Sequence, residues 1–133
     1  MSIELEMGLR ILMAAALGAI VGYQRERAGK SAGLRTAVLV CVGATLFTMA
    51  SIYGFGAGAD PARVAAGIVV GIGFLGAGAI MRHEGGHVEG LTTAATIWVM
   101  AAVGLATGAG LYIVSAVTTA IILIVLCLPH PIR

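Results

Sequence analysis

The sequence has 133 residues, of which 59% are hydrophobic and 11% are charged, with a net charge of +2. Soluble domains average roughly 25% charged residues, so a soluble protein of this length could not bury so much apolar side chain in one core. The composition therefore excludes an ordinary soluble domain and makes the lipid bilayer the solvent for much of the surface. The small net charge, spread over scattered basic residues, excludes a nucleic-acid partner.

Charged residues divide the chain into apolar runs that have the length of a membrane-spanning helix, ~20 residues. The first three runs predict transmembrane helices at residues 5–23, 34–53 and 61–81. The uncharged stretch from residue 90 to residue 128 would form a helix of ~58 Å, far longer than the ~30 Å bilayer core, so it must fold back. Glycines at residues 108 and 110 mark the turn, because glycine tolerates positive φ and ends helices. The last two spans are then predicted at residues 91–106 and 111–128.

We therefore predict an all-α integral membrane protein, a bundle of about five transmembrane helices that forms a single domain over residues 1–133. Local signals agree with these boundaries. Asp60 before Pro61 is typical of a helix N-cap followed by proline at the first helical position. Glu6 and Arg10 have the i, i+4 spacing of an ion pair on one helix face.

The distribution of basic residues predicts how the bundle is oriented in the membrane. Most of them follow the first, third and fifth spans: Arg25, Arg27, Lys30, Arg35, Arg82 and Arg133. These segments share one side of the membrane, whereas Arg10 and Arg63 lie on the other side. By the positive-inside rule the first side is cytoplasmic, so the N-terminus is predicted outside and the C-terminus inside.

Glycine accounts for 20 residues and is concentrated inside the predicted spans. In lipid, small residues allow helix backbones to approach closely, so these positions indicate helix packing. The first span has Ala14, Gly18 and Gly22 at spacing four. The densest set lies in the third span and consists of Gly67, Gly71, Gly73, Gly76 and Gly78. Packing within the chain and packing between chains, including a homo-oligomer, are both open interpretations.

Two motifs that resemble ligand sites have a simpler structural explanation. The stretch from Gly71 to Gly76 has the Gly-x-Gly-x-x-Gly form of a dinucleotide fingerprint, but it lies inside an uncharged helix and follows no strand. The stretch from His83 to His87 matches the H-E-x-x-H zinc signature, which requires a helix that its two adjacent glycines disfavour. We therefore predict no cofactor and no catalytic metal, and at most adventitious metal binding by His83 and His87.

The loop after the first span combines basic residues with the stretch Gly33-Leu-Arg-Thr36. A loop that sets the topology and contacts anionic lipid explains the charge. It does not require this particular motif, and the alternative is that Arg35 donates to carbonyls of a neighbouring helix. No Asp, Glu or His lies at mid-membrane depth, where proton-coupled pumps usually place ionisable groups.

Three long stretches of the sequence resemble the MgtC/SapB family of membrane proteins. They are Ala32-Gly-Leu-Arg-Thr36, Gly71-Ile-Gly-Phe-Leu-Gly-Ala-Gly78, and Val88-Glu-Gly-Leu-Thr-Thr-Ala-Ala-Thr96 with Trp98. Further positions fit the same pattern: Arg10, Arg25, Glu26, Asp60, Arg63, Gly104 and the stretch from Gly108 to Tyr112. The resemblance covers nearly the whole chain.

The resemblance implies a multi-pass protein of a bacterial-type inner membrane, linked to magnesium limitation, acid stress and virulence. It also implies a non-enzymatic regulator that acts on other membrane proteins, with the rotary ATP synthase as one proposed target. Many members carry a cytoplasmic C-terminal domain, and we expect this sequence, which ends at Arg133 just inside the membrane, to lack it. The sequence departs from the family pattern at Gln24 and Gly67, where acidic and polar residues are expected.

Position by position, the resemblance implies a set of functional polar residues: Arg10, Arg25, Glu26, Arg35, Thr36, Asp60, Arg63, Thr92 and Thr93. We expect Arg35 to meet the start of the fourth span, residues 91–94, where the two cap each other's helix ends and form a small polar pocket. The alternative function is a transporter or channel for Mg²⁺ or another small solute. The missing intramembrane carboxylates favour regulation, because Mg²⁺ prefers carboxylates and water as ligands.

Overall fold

Five helices make up the computed structural model of the chain, which describes residues 2–82 and 88–129. They are α1 (Ile3–Arg27), α2 (Leu34–Tyr53), α3 (Pro61–Ala79), α4 (Leu91–Gly108) and α5 (Tyr112–Leu126). Between α3 and α4, the two-residue strands β1 (Met81–Arg82) and β2 (Val88–Glu89) pair antiparallel. Each helix overlaps its predicted span, so the prediction of an all-α bundle of about five helices is confirmed.

Four helices, α1 to α4, are long and apolar enough to cross a membrane. The fifth helix is apolar but has 15 residues, or ~22 Å, which is shorter than the ~30 Å bilayer core. Its predicted span began at Leu111 and ended at Leu128, and the structure places Leu111 at the N-cap and Cys127 at the C-cap. α5 therefore needs these flanking residues, a thinned bilayer or both to complete a crossing.

Two helix boundaries form for the reasons that the sequence indicates. The Asp60 side chain accepts a hydrogen bond from the Ala62 amide at 3.0 Å, and α3 begins at Pro61. The predicted fold-back between α4 and α5 contains Gly110, whose φ is +88°. A side chain at this position would be strained, which is why glycine ends the long apolar run.

The fourth helix is the centre of the bundle, because it contacts all four other helices. Its residues Met100 and Val103 are completely or almost completely buried against Val21 of α1 and Cys41 of α2. α3 contacts only α2 and α4 extensively, and just Ile72 and Gly76 of α3 are buried. α3 is therefore the peripheral helix.

The α1–α2 contact depends on two glycines of α1. A Cβ atom at Gly18 would lie 2.9 Å from the carbonyl oxygen of Ala37, and one at Gly22 would lie 2.6 Å from the Cα atom of Leu34. Real Cβ atoms do not approach backbone atoms so closely. The glycine stripe that the sequence predicts for the first span therefore packs within the chain.

The α2–α4 contact has the same character. A Cβ atom at Gly104 would lie 2.9 Å from the Cβ atom of Ala44, and one at Gly108 would lie 2.7 Å from the carbonyl oxygen of Thr45. The buried Thr45 hydroxyl donates to the carbonyl of Gly104 at 2.7 Å and is also 2.9 Å from the carbonyl of Cys41. Close backbones and a hydroxyl that satisfies backbone acceptors therefore hold α2 to α4.

The glycines of α3 differ from those of α1 and α4. Only Gly76 packs against a neighbouring helix, where a Cβ atom would lie 3.7 Å from the Cβ atom of Ala94. At four others a Cβ atom would meet nothing within 4 Å: Gly67, Gly71, Gly73 and Gly78. Within the described residues, close packing is thus made by α1 and α4, and a packing role for these four glycines stays a prediction about contacts with another chain.

Replacing Gly18 with alanine is expected to lower the free energy of unfolding in detergent by about 1–3 kcal/mol, because the added methyl group meets backbone atoms of α2 that cannot move aside freely. Gly67→Ala is the matched control, since the added methyl group there enters open space. Reversible denaturant titration of both variants measures the difference. Equal stability of the two variants would contradict the packing described for α1 and α2.

Candidate functional site

One end of the bundle is organised around Arg10, a charged residue that is only 7% exposed. Its Nε donates to the Tyr112 hydroxyl at 2.7 Å, and its Nη1 donates to the carbonyl of Gly108 at 2.8 Å. Its Nη2 donates to the carboxylate of Glu6, which confirms the predicted i, i+4 pair. The guanidinium carbon also lies 5.6 Å from the ring centre of Tyr53. Arg10 therefore joins α1 to the end of α2, the end of α4 and the start of α5.

The opposite end of the bundle is organised around Arg25, which is 2% exposed. Its Nη2 donates to the carbonyl of Ser31 at 2.8 Å and to the hydroxyl of Thr93. The hydroxyl oxygens of Ser31 and Thr93 are 3.3 Å apart. The Arg25 Nε is buried without a hydrogen-bond partner. Arg25 thus ties the end of α1 to the α1–α2 loop and to the first turn of α4.

The two arginines both connect α1 to α4, and their separation along α1 matches the separation of their partners along α4. Arg10 and Arg25 are 15 residues apart on α1, and their partners Thr93 and Gly108 are 15 residues apart on α4. Because Arg10 meets the end of α4 and Arg25 meets its start, α1 and α4 run antiparallel. The separation corresponds to ~22 Å along each helix, so the two polar clusters bracket most of the ~30 Å bilayer core.

The Glu26 carboxylate has a separate, local role. Its Oε1 accepts a hydrogen bond from the backbone amide of Leu34 at 3.1 Å, at the start of α2. The residue at the N-cap of this helix is Gly33, which has no side chain that could cap it. Glu26 therefore supplies an acceptor for an N-terminal amide of α2, and its negative charge is favourable at that end of the helix.

The expected meeting of Arg35 with the start of the fourth span is wrong in its choice of arginine. Arg35 is exposed, and no hydrogen bond from its side chain is found within the described residues. Arg25 makes the contact with Thr93 instead. The physical reason is the helix face: Arg25 lies on the buried face of α1 with Val21 and Gly22, whereas Arg35 lies on the exposed side of the first turn of α2.

The remaining predicted residues do not join either cluster. Asp60 caps α3, and Arg63 is exposed in the first turn of that helix. Thr36 is half-buried, and Thr92 is exposed and contributes its carbonyl oxygen as acceptor for the Thr96 hydroxyl at 2.8 Å. Their functional role stays a prediction.

The histidines named as adventitious metal ligands, His83 and His87, lie outside the described residues. In residues 2–82 and 88–129, no three His, Cys, Asp or Glu side chains come together as a metal site would require. What the two described clusters offer chemically is hydrogen-bond donation by guanidinium groups to hydroxyl and carbonyl oxygens.

Sequence reasoning did not single out Ser31 and Tyr112 as residues that contact the buried arginines. Ser31 acts mainly through its backbone carbonyl, for which no residue-type signal exists. Tyr112 has a signal that could have been used. It is a phenol at the start of an apolar helix, shortly after the Gly110 turn, and a phenol in apolar surroundings usually seeks a polar partner.

Thr93→Val is expected to lower the free energy of unfolding by about 1–2 kcal/mol, because it removes an acceptor of the buried Arg25 guanidinium without a large change in volume. Thr92→Val is the matched control, since the neighbouring Thr92 is exposed in the same helical turn. Denaturant titration in detergent compares the two. A loss of stability that is as large for Thr92→Val would contradict the role assigned to Thr93.

Comparison with known proteins identifies one matching family and several similar proteins. A model of the MgtC family matches residues 11–133. Protein MgtC of Brucella abortus (strain 2308) is 50% identical over 115 residues, which cover 86% of this chain and 48% of the relative. Protein MgtC of Salmonella typhimurium (strain LT2) is 47% identical, with the same coverage. The Escherichia coli (strain K12) protein named "Putative magnesium transporter YhiD" is 46% identical over 112 residues, which cover 78% of this chain and 51% of the relative.

The chain thus spans about half the length of the curated relatives it matches. No solved structure matches it. Its membrane-length helices and these relatives make it a multi-pass protein of the bacterial inner membrane. The family model covers most of the sequence, and the resemblance of the three long motifs is confirmed: the chain belongs to the MgtC family.

Proposed function

We propose that the chain is a non-enzymatic regulatory protein, which acts by binding another membrane protein through an outward surface of its third helix. This surface, the α3 face, consists of Gly67, Val70, Gly71 and Phe74. The observation that carries the proposal is that glycine occupies two of these positions, although within the described residues an added Cβ atom there would meet nothing within 4 Å. Relatives named MgtC, and one named for magnesium transport, support a role in adaptation to magnesium limitation.

The α3 face borders an apolar groove of about 540 Å³ between α2 and α3. On the α2 side the groove is lined by residues such as Leu39, Gly43 and Phe47, and on the α3 side by residues that include Gly67 and Gly71. Beside the groove, Val70 is 77% exposed and Phe74 is 83% exposed. The face therefore combines recessed glycines with projecting apolar side chains, a surface relief into which a second helix can fit.

Helix association in a bilayer depends on close van der Waals contact, because lipid chains already solvate apolar side chains. Glycines allow that contact by bringing two backbones together. Glycine in a helix interior costs roughly 0.5–1 kcal/mol relative to alanine, and α3 receives no packing in return at Gly67 or Gly71. A partner helix on the α3 face would provide the missing contact.

Attachment of α3 to the rest of the chain also suits a binding role. At its start, the Ser51 hydroxyl donates to the carbonyl of Pro61 at 3.1 Å, and near its end Gly76 meets Ala94. Between these points most of α3 is exposed. The arginine clusters, in contrast, bind helix ends inside the chain, so they position α1 and α4 and leave the α3 face free for a partner.

In-membrane photo-crosslinking tests this proposal. A benzophenone amino acid at Val70 of the protein, expressed in its host membrane, is expected to yield a discrete crosslinked membrane protein. Gly71→Leu should reduce the yield by about tenfold, because a bulky side chain keeps the partner backbone away. Ala116→Leu, on the exposed side of α5, is the matched control and should leave the yield unchanged. No discrete product, or equal yields from both variants, would overturn the proposal.

Magnesium transport is the second candidate function, and it is favoured by the name of the YhiD relative. A proteoliposome flux assay separates it from regulation. If the chain transports Mg²⁺ through Asp60, uptake is saturable and falls to the level of empty liposomes in Asp60→Ala. Asp60→Asn is the control, since asparagine keeps the N-cap of α3 and removes the charge. Under the regulatory proposal, we expect no saturable uptake by any of the three proteins.

A further inference from the structure

A second groove lies at the end of the bundle that carries Arg25, between α1 and α5. Its volume is about 640 Å³, and it is lined by Ile20, Tyr23, Gln24, Arg27, Ala28 and Leu123. Ile20 and Leu123 make one end of this groove apolar. Arg27 lies seven residues beyond Ile20 on α1, or ~10 Å further along the helix, and makes the other end basic. The groove thus changes from apolar to polar in the direction in which a bilayer changes from hydrocarbon to headgroup.

The polar end of the groove contains two prepared donors. Arg27 Nη1 donates to the Tyr23 hydroxyl at 2.9 Å, and its guanidinium carbon lies 5.7 Å from the centre of the Tyr23 ring. This contact uses one of the five N–H donors of the guanidinium. The Tyr23 hydroxyl accepts that bond, so its own proton is available to another acceptor. A guanidinium and a hydroxyl that lie side by side, each with a donor to spare, suit the oxygens of a phosphate group.

Gln24, which also lines this groove, adds an acceptor. Its Oε1 is buried and has no hydrogen-bond partner. A buried polar atom without a partner costs about 1–3 kcal/mol, so a ligand that draws the Gln24 amide into the groove and donates to its oxygen is favoured. A headgroup with hydroxyl groups, such as glycerol, would supply that donor next to the phosphate.

The charge of the segment that contains Arg27 influences which lipids approach the groove. Residues 25–35 contain four basic side chains, Arg25, Arg27, Lys30 and Arg35, against the single carboxylate of Glu26. Basic residues near a membrane surface attract anionic lipids by about 1 kcal/mol each. The excess of positive charge therefore favours a phospholipid with a net negative headgroup over a zwitterionic one.

We propose that the α1–α5 groove is a binding site for an anionic phospholipid with a hydroxyl-bearing headgroup, of the phosphatidylglycerol class. The phosphate accepts from Arg27 and Tyr23, a headgroup hydroxyl donates to Gln24, and an acyl chain lies along Ile20 and Leu123. The site is made by helices other than α3, so it is independent of the proposed partner surface.

Lipid retention by the purified chain tests this site. The protein is equilibrated in nanodiscs of equal parts phosphatidylglycerol and phosphatidylcholine with matched acyl chains, extracted in detergent at high salt, and examined by native mass spectrometry. High salt screens general surface attraction. The wild-type chain should retain phosphatidylglycerol over phosphatidylcholine by about tenfold. Arg27→Gln should abolish the preference, whereas Lys30→Gln, which removes an equal charge outside the groove, should keep it.

A second pair of variants tests the apolar end of the groove. Ile20→Trp fills it and should reduce the retained phosphatidylglycerol, while Ile121→Trp, on the exposed side of α5 outside the groove, should not. Equal retention of the two lipids by the wild-type chain would overturn the proposal. So would equal losses in Arg27→Gln and Lys30→Gln. Displacement of the lipid by inorganic phosphate alone would identify free phosphate as the ligand and would also overturn it.

Discussion

The backbones of α1 and α4 approach α2 so closely that one added methyl group at Gly18, Gly22 or Gly108 would collide with backbone atoms. Lipid offers little hydrophobic driving force between helices, so this contact and the hydroxyl bond from Thr45 to Gly104 are central to the association of the three helices. Once α2 is held on both sides, the positions of α1 and α4 are set. The other contacts of the bundle, including those of α3 and α5, are built on that arrangement.

The two buried arginines follow from the same arrangement. Arg10 and Arg25 lie on the face of α1 that turns toward α4, and each finds acceptors at one end of that helix. Both guanidinium groups use hydroxyl and carbonyl oxygens, which a helix end supplies because its last carbonyls and its first-turn side chains are not used within the helix. Arg10 is further neutralised by Glu6, whereas Arg25 has an Nε without a partner. The clusters therefore fix the register of α1 against α4 near both membrane surfaces.

α3 stands apart from this arrangement. Its glycines have the composition of a packing surface, yet at most of them an added Cβ atom would meet nothing within 4 Å. The α1–α5 groove is a second surface that the bundle leaves open, and it differs in carrying charge. One surface thus suits an apolar helix and the other a lipid headgroup, which separates the proposed contact with a protein partner from the proposed contact with the membrane.

Run lengths, charge and local turn and cap residues were enough to predict five helices, the fold-back at Gly110 and the cap of Asp60 on α3, because these depend on bilayer thickness and on local backbone preferences. The resemblance to the family, and not run length or charge, identified Arg10, Arg25 and Thr93 as candidate residues. Only the tertiary structure decided that Arg25 rather than Arg35 meets Thr93, and that Gly18 packs inside the chain while Gly67 does not. The reason is physical: a glycine or an arginine has the same local preferences on every face of a helix. Which face turns inward depends on how all five helices pack together.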